Sequence, residues 1–368
     1  MIARLLAALG LLVPMQAQAS SGPDWAGVYE GTVGRYPVTL CLQSWGDGSG
    51  MGAYYYHSQL KLIRLDGTGD PARWAEAREG TTGEKRSGPR WTLAGLGTGR
   101  LTGTWQNGKR RLPLRLARAA GAQEAEGLPC GSRAFNARRA VPLPFEDTPQ
   151  TLGSFAYTRH TLVPPAHLAE VSIELISFAP QQPGDGAVVE ALRADRPRGT
   201  PDEALFECLA GAAGSLGVEG YWEQGVRPVY VGEAFLAVEQ TLGSFCGGAH
   251  PNYQTVQRVF DRSSGAELDL TRWLSASAFA EERYGLRPIS APLRELALRH
   301  WPESAGGECR EAVSDQEYWT LGLSEGGLLL TPDLPHALTA CEASITVPWS
   351  DLDPYLSDEG RAGRARMR

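Results

Sequence analysis

The chain has 368 residues, of which 42% are hydrophobic and 21% are charged, and its formal net charge is -7. This composition excludes global disorder, and the acidic balance makes nucleic acid an unfavourable partner because a phosphate backbone attracts basic surfaces. The 44 glycines and 25 prolines lie between short apolar runs, which predicts many turns and much β-structure.

The first residues predict a secretory signal peptide at residues 1–19. Arg4 precedes an apolar run from Leu5 to Val13, and Ala17-Gln18-Ala19 has the small-x-small pattern that a signal peptidase needs. The apolar run is well short of the roughly 20 residues that span a bilayer. We therefore expect removal of this segment and a periplasmic or secreted mature protein with no transmembrane segment.

Six cysteines in an exported chain predict disulfide bonds, because an oxidising compartment converts an even set of thiols into bonds. The domain division that follows separates the first two cysteines from the other four. We expect three pairs, Cys41 with Cys130, Cys208 with Cys246, and Cys309 with Cys341.

Residues 24–118 predict an antiparallel β-meander that closes into a barrel. Apolar and polar residues alternate in several short segments, as at Val38, Leu40 and Leu42. Asn107-Gly108 is a strong hairpin signal. Because no helical period separates the strands, closure is the expected way to remove open edges. We expect side chains to fill the barrel, and a cavity for a small ligand is the alternative.

The remaining chain divides into three parts. Residues 119–150 are first rich in Ala, Arg, Glu and Gly and then in Pro, which predicts a linker. Residues 151–356 mix strand and helix periods and predict an α+β domain with a mainly antiparallel sheet. Its first helix is expected to have Thr200 as N-cap and Glu203 in a capping box. Residues 357–368 carry four arginines without an apolar period and predict a disordered basic tail.

The segment SFCGGAHPNY at residues 244–253 has two interpretations. His250 could act as a general base beside a Cys246 thiolate, but export favours an oxidised Cys246 that cannot attack a substrate. The other interpretation is a rigid turn in which the glycines adopt positive φ angles and the proline restricts the histidine. We assign no catalytic residue and take the loop as the candidate binding surface, namely Gly247, Gly248, Ala249, His250, Pro251 and Asn252.

Neither a metal nor a cofactor is expected from the sequence. The six histidines are scattered, and none forms a His-x-x-x-His or His-Glu-x-x-His pair of the kind that binds zinc.

Four segments resemble a known domain. GGAHPN at residues 247–252, FDRSSGAELDL, WTLGLSEGGLLLTP and ITVPWSDLDPYL are similar to the C-terminal domain shared by a lysozyme-sensing anti-sigma factor and secreted peptidoglycan deacetylases. The resemblance covers roughly residues 150–356 and implies an exported domain of the cell envelope. In that family the anti-sigma factor binds lysozyme directly, whereas the deacetylases carry a separate catalytic domain that has no counterpart here.

The sequence therefore predicts an exported, non-catalytic binding module of the cell envelope. Its expected partner is lysozyme, another basic envelope protein, or peptidoglycan. Two alternatives stay open at this point: a wall-polymer hydrolase or deacetylase that uses His250, and a small-ligand carrier that uses the barrel.

Overall fold

The computed structural model describes residues 23–45, 49–77, 88–120, 128–283 and 285–367. The predicted signal peptide at residues 1–19 lies outside these ranges. A β-barrel comes first and an α+β part follows it, which confirms the predicted fold class. Over the described ranges, no helix combines the length and the apolar character that crossing a membrane requires.

The described strands of the N-terminal part form a closed antiparallel barrel, because the first strand pairs with both the second and the eighth. The predicted hairpin at Asn107-Gly108 joins the last two strands, and Gly108 has a φ angle of 59°. The strands are β1 (Gly27–Val33), β2 (Tyr36–Ser44), β3 (Gly50–Tyr56), β4 (Ile63–Gly67), β5 (Arg73–Glu76), β6 (Arg90–Ala94), β7 (Arg100–Asn107) and β8 (Arg110–Arg118).

Large side chains pack the barrel interior. Among the most buried are Trp74, Trp91 and Tyr54. One carboxylate oxygen of Glu76 accepts hydrogen bonds from the Tyr54 hydroxyl at 2.7 Å and from the Trp91 and Trp105 indoles at 3.1 Å and 2.6 Å. Burial, followed by the nearby Glu76 charge, raises the pKa of the Tyr54 hydroxyl. The hydrogen-bonded carboxylate thus satisfies the polar atoms of three packed aromatic residues.

A six-stranded sheet in the order β14-β13-β12-β11-β10-β9 forms the centre of the second part. Neighbouring strands are antiparallel except for the parallel pair of β11 and β12. The strands are β9 (Phe145–Leu152), β10 (Phe155–Leu162), β11 (Val171–Ser177), β12 (Tyr221–Val231), β13 (Phe235–Phe245) and β14 (Asn252–Asp261). Strand β9 begins inside the segment that the sequence predicts as a linker.

Helices form the crossover that the parallel pair requires. The connection from β11 to β12 contains α2 (Asp185–Ala194) and α3 (Ala204–Leu216), and an earlier short helix, α1 (Arg133–Asn136), precedes the sheet. Val188 of α2 and Leu209 of α3 belong to the same buried cluster as Ile173 of β11. The two helices therefore pack on one face of the sheet and do not cover the opposite face.

The start of α3 differs from the prediction. The helix begins at Ala204, so Thr200 is not its N-cap. The Glu203 carboxylate does accept the hydrogen bond that the capping box predicts, from the backbone amide of Thr200 at 3.3 Å, and it also accepts from the amides of Arg198 at 2.8 Å and Gly199 at 3.0 Å. This carboxylate fixes the loop before the helix, because it binds the amide that a capping box uses and the two amides before it.

A three-stranded antiparallel sheet and short helices complete the second part. They surround a core that includes Trp273, Leu293 and Val347. The elements are α4 (Ala291–Arg299), α5 (Gly307–Ala312), β15 (Trp319–Leu323), β16 (Gly327–Pro332), β17 (Ile345–Pro348), α6 (Trp349–Leu352) and α7 (Asp358–Ala365).

The prediction of a disordered tail is wrong for residues 358–365, which form α7. Ser357 caps this helix, and Gly360 and Gly363 are buried against Trp273. Arg366 donates a hydrogen bond to Asp261 at 2.7 Å. The segment is ordered because Gly360 allows close approach to the backbone of Trp273 and Gly363 to its ring, and no apolar side chain of the segment is needed for these contacts.

All three expected disulfides are present, linking Cys41 to Cys130, Cys208 to Cys246 and Cys309 to Cys341. The first bond fixes the connecting segment to the barrel. Gln43 of β2 extends this junction, since its side chain accepts from the Cys130 amide at 3.3 Å and donates to the Gly214 carbonyl of α3 at 2.7 Å. The barrel is thereby hydrogen-bonded to the second part.

Candidate functional site

The loop predicted as a binding surface connects β13 to β14 and is fixed at its first residue. Cys246 is bonded to Cys208 of α3, and Gly247 has a φ angle of 89°. A Cβ atom on Gly247 would lie 2.8 Å from the Cα atom of Ala212. Only glycine fits this position, because both its conformation and its distance from α3 exclude a side chain.

His250 is exposed at the tip of the loop. Its Nδ1 atom lies 3.0 Å from the carbonyl oxygen of Pro251. The Cys246 sulfur belongs to a disulfide and cannot form a thiolate, so these two residues do not make a nucleophile and general base pair.

The face of the sheet opposite α2 and α3 carries a polar groove. Its position follows from the strand register, because residues directly opposite each other share a face. Glu223 is paired with Ser172 on one side and with Gly243 on the other. In the next row Gly225 lies between Glu174 and Thr241. The groove has a volume of about 330 Å³.

Glycines give the groove its depth. Gly225 and Gly243 place no side chain on the open face, and a Cβ atom on Gly225 would lie 2.5 Å from the Thr241 hydroxyl. Tyr253 packs over Gly243 and is 46% exposed. The loop of residues 247–252 continues from this end of the open face, between the last residues of β13 and the first of β14.

Carboxylates dominate the charge of the groove. Glu174 and Glu223 are exposed and, within the part of the chain that the structure describes, form no ion pair. Glu239 is paired with Arg227 at 2.6 Å. Burial, with the nearby charges of Glu239 and Asp333, raises the pKa of Glu342, although the Thr255 hydroxyl opposes this shift.

One cation lies on the same face without a partner. Arg159 of β10 is paired in register with Ile176, diagonally from Glu174. Its Nε atom is buried and has no hydrogen-bond acceptor among the described residues. The open face therefore combines unpaired carboxylates with one unpaired guanidinium group.

A second cluster lies on the other face of the sheet, near the end of the β9–β10 hairpin that is away from its turn. His160 of β10 lies between Asp147 of β9 and Ser177 of β11. Its Nδ1 atom is 2.6 Å from Asp147 Oδ1, and its Nε2 atom is 2.8 Å from Ser177 Oγ. The His160 side chain is 14% exposed, whereas the Asp147 carboxylate is 63% exposed. Sequence reasoning missed this cluster because the three residues come from three strands and form no local motif.

Ser177 also lines an open cavity of about 610 Å³. The wall beside Ser177 contains Pro149, Tyr157 and Phe178 and the small residues Ala156 and Ala179. No charged side chain lines this cavity, so its surface differs in kind from the acidic groove.

The other described histidines have separate surroundings. His57 Nε2 lies 2.9 Å from the Thr39 hydroxyl, and burial lowers the pKa of the His57 ring. His167 Nε2 lies 2.9 Å from the Arg139 carbonyl oxygen, and His300 Nε2 lies 2.9 Å from an Asp351 carboxylate oxygen. Over the ranges given above, no three or more His, Cys, Asp and Glu side chains are grouped to hold a metal ion.

Comparison of the sequence with known protein families finds no match, and comparison with curated proteins finds none either. Two solved structures are similar to parts of the chain. One is a DUF3298 family protein from Pseudomonas aeruginosa PAO1, with 18% identity and a TM-score of 0.33, covering 60% of this chain and 96% of that chain. The other is a DUF3298 family member from Bacteroides fragilis NCTC 9343, with 12% identity and a TM-score of 0.33, covering 61% and 97%.

These likenesses are too distant to assign an activity, and the resemblance to the lysozyme-sensing domain stays a prediction. The class of protein follows from the fold and the bonds instead. The chain is a barrel joined to an α+β part with three disulfides and no free cysteine in the described ranges. Disulfides of this kind are typical of extracytoplasmic proteins.

Proposed function

We propose that this is an extracytoplasmic binding protein of the cell envelope whose acidic groove binds a basic protein such as lysozyme. The observation that carries the proposal is the pair of unpaired carboxylates, Glu174 and Glu223, at the centre of an open sheet face. A carboxylate that is already in an ion pair has its partner, whereas these two exposed carboxylates remain available for one.

The charge of the groove favours a cationic ligand. Among the described residues of the open face, the unpaired carboxylates Glu174 and Glu223 outnumber the unpaired Arg159 guanidinium, and the whole chain has a net charge of -7. An acidic surface increases the rate at which a basic protein is captured, and the effect weakens as salt is added. The volume of about 330 Å³ accommodates an extended lysine or arginine side chain.

A protein fits this face better than a neutral glycan does. The hydroxyl groups of a neutral glycan can hydrogen-bond to the carboxylates and to the Arg159 guanidinium, but they leave all of these charges uncompensated. A protein surface carries both charges and can pair with both. In this proposal Tyr253 supplies an aromatic contact at one end of the groove, and the residues of the 247–252 loop, His250 included, contact the partner beside it.

The test measures binding of lysozyme to the disulfide-intact protein at low salt and at about physiological salt. The variant Glu174→Gln with Glu223→Gln should weaken binding about tenfold or more, because two charge pairs are lost. The matched control is Asp66→Asn with Asp70→Asn, which removes the same charge from exposed positions on the barrel. The control should bind like the unmodified protein.

Two results would overturn the proposal. One is the absence of lysozyme binding at low salt. The other is an equal loss in the groove and barrel variants, since that would show only a general charge effect. A parallel assay measures binding to purified peptidoglycan. Binding to this polymer that is unchanged by the groove substitutions would identify peptidoglycan, and not a basic protein, as the ligand.

A further inference from the structure

We propose that Ser177, His160 and Asp147 form a nucleophilic catalytic site that hydrolyses small uncharged carboxylic esters. Ser177 is the nucleophile, His160 is the general base and acid, and Asp147 positions the imidazole. This activity is separate from binding in the acidic groove, which lies on the opposite face of the sheet.

The hydrogen-bond chain defines the roles of the two ring nitrogens. A carboxylate only accepts hydrogen bonds, so the 2.6 Å contact with Asp147 places the proton of neutral His160 on Nδ1. The Nε2 atom then has a free lone pair, which accepts the Ser177 hydroxyl at 2.8 Å. This is the arrangement that activates a serine hydroxyl, and such sites are recognised by geometry and not by sequence order.

Regular strand pairing holds the three residues in place. His160 is directly opposite Asp147 in the β9–β10 register. Ser177 is opposite Thr158 and therefore lies diagonally from His160 on the same face. A site built on three hydrogen-bonded strands is held more rigidly than a site on loops. It needs no movement of the backbone to bring the base to the nucleophile.

The cavity beside Ser177 indicates the class of substrate. Its lining lacks charge and combines apolar residues, Tyr157 and Phe178 among them, with the neutral polar residues Gln150, Thr151 and Thr158. An uncharged wall of this kind takes an uncharged acyl group and gives no pairing for a charged one. His160 is largely shielded behind the serine, so the substrate reaches the base through Ser177.

The reaction balances with water as the second reactant. Ser177 Oγ attacks the ester carbonyl carbon while His160 Nε2 takes the hydroxyl proton. The bond from carbon to the alcohol oxygen then breaks, and the alcohol leaves with the proton from His160. Water attacks the acyl-serine and gives a proton to His160. The carboxylic acid leaves, and Ser177 regains its proton.

The first test measures hydrolysis of p-nitrophenyl acetate by the disulfide-intact protein. Ser177→Ala and His160→Ala should each lower kcat/KM by about 100-fold or more. His300→Ala is the matched control, because His300 also pairs with a carboxylate, Asp351, but that pair has no serine hydroxyl on the other ring nitrogen. The His300 variant should keep the full rate.

The second test uses a fluorophosphonate probe and does not depend on turnover. Displacement of fluoride by Ser177 Oγ forms a phosphorus–oxygen bond and releases hydrogen fluoride, so mass spectrometry should find the probe on the peptide that contains Ser177. Labelling should disappear in His160→Ala, while thermal unfolding verifies that this variant is folded. An unlabelled Ser177 together with an unchanged rate in Ser177→Ala would overturn the proposal.

The positioning role of Asp147 is tested by a measurement that would not change if the residue only stabilised the fold. Asp147→Asn should lower kcat with little change in KM, because the ring loses its orientation while the cavity is intact. Asp147→Glu should restore part of kcat. Equal kcat values for the aspartate and asparagine forms would remove Asp147 from the site.

Discussion

Gly131 and Gly214 bring the connecting segment into backbone contact with helix α3, and a Cβ atom on Gly214 would lie 2.8 Å from the Cα atom of Gly131. Cys130 and Gln43 lie at the same junction, where Gln43 links the Cys130 amide to the Gly214 carbonyl. The two glycines therefore set how closely the barrel packs on the second part of the protein.

We predict that Gly214→Ala destabilises the protein by roughly 1–3 kcal/mol, because the added methyl group overpacks this junction. The matched control is Gly186→Ala in helix α2, where a Cβ atom meets nothing within 4 Å. That change should stabilise the protein by about 0.5–1 kcal/mol through helix propensity. Urea unfolding followed by circular dichroism compares the two. Equal stabilisation by both substitutions would show that the contact is loose.

The buried ion pair of Asp185 and Arg262 joins helix α2 to the end of β14. The Asp185 carboxylate accepts two hydrogen bonds from Arg262, at 2.9 Å and 2.7 Å, and the side chains are 0% and 4% exposed. Burial raises the pKa of Asp185, but hydrogen bonds from Arg262 and the amides of Gln181 and Gln182 outweigh this effect and lower it.

Asp185→Ala should therefore cost about 3–5 kcal/mol, because it leaves the Arg262 charge buried without a partner. Glu190→Ala on the same helix removes the exposed pair with Arg193 and should cost less than about 1 kcal/mol. Denaturant midpoints of the two variants test the difference. A small effect at Asp185 would mean that water reaches Arg262.

The contact between Asp261 and Arg366 predicts a pH dependence of helix α7. The hydrogen bond from Arg366 is the largest of the effects that lower the pKa of Asp261. A lowered pKa means that the carboxylate contributes stability above its unfolded pKa of about 3.9 and that this contribution is lost as pH falls through the folded value.

Asp261→Asn should consequently lower the unfolding temperature at neutral pH, and the difference from the unmodified protein should shrink below a pH of about 3. The control is Asp315→Asn, which changes an exposed aspartate and should alter the unfolding temperature neither at neutral pH nor at low pH. Scanning calorimetry across pH supplies the measurement. A constant difference at all pH values would contradict an electrostatic origin.

The disulfide between Cys208 and Cys246 should restrict the 247–252 loop. Replacing both cysteines with serine is expected to cost about 2–4 kcal/mol and to increase amide hydrogen exchange in the loop. The matched control is the serine pair at Cys309 and Cys341, which should leave loop exchange unchanged while costing a similar amount. Protection that persists without the Cys208–Cys246 bond would show that Gly247 packing alone fixes the loop.

Local patterns were sufficient to predict much of the fold. Two local signals predict strands and their hairpins, namely the alternation of apolar residues at Val38, Leu40 and Leu42 and the turn at Asn107-Gly108. Both depend only on residues that are close in sequence, and the barrel follows from signals of this kind. The division into a barrel and a second part predicts the bond between Cys41 and Cys130, whereas it leaves three pairings of the other four cysteines open. Helix α7 could not be predicted in this way. Its contact with the core is made by Gly363, which packs against the Trp273 ring, and a glycine adds no apolar residue to a hydrophobic pattern.

The site was harder to predict than the fold. Asp147, His160 and Ser177 are separated along the chain, and Asp147 falls in the segment predicted as a linker, so only strand register brings them together. The acidic groove depends equally on register, since Glu174 and Glu223 lie on different strands. The loop of residues 247–252 was conspicuous in sequence because two glycines, a histidine and a proline lie within six residues.

Each sulfur bridge joins a cysteine to the next one along the chain, at residues 41 and 130, 208 and 246, and 309 and 341. A polypeptide that enters an oxidising compartment from its N-terminus always presents the correct partner before any competitor emerges. For an exported chain we therefore expect oxidation in order of arrival to produce this set directly, with a thiol oxidase and without shuffling by an isomerase.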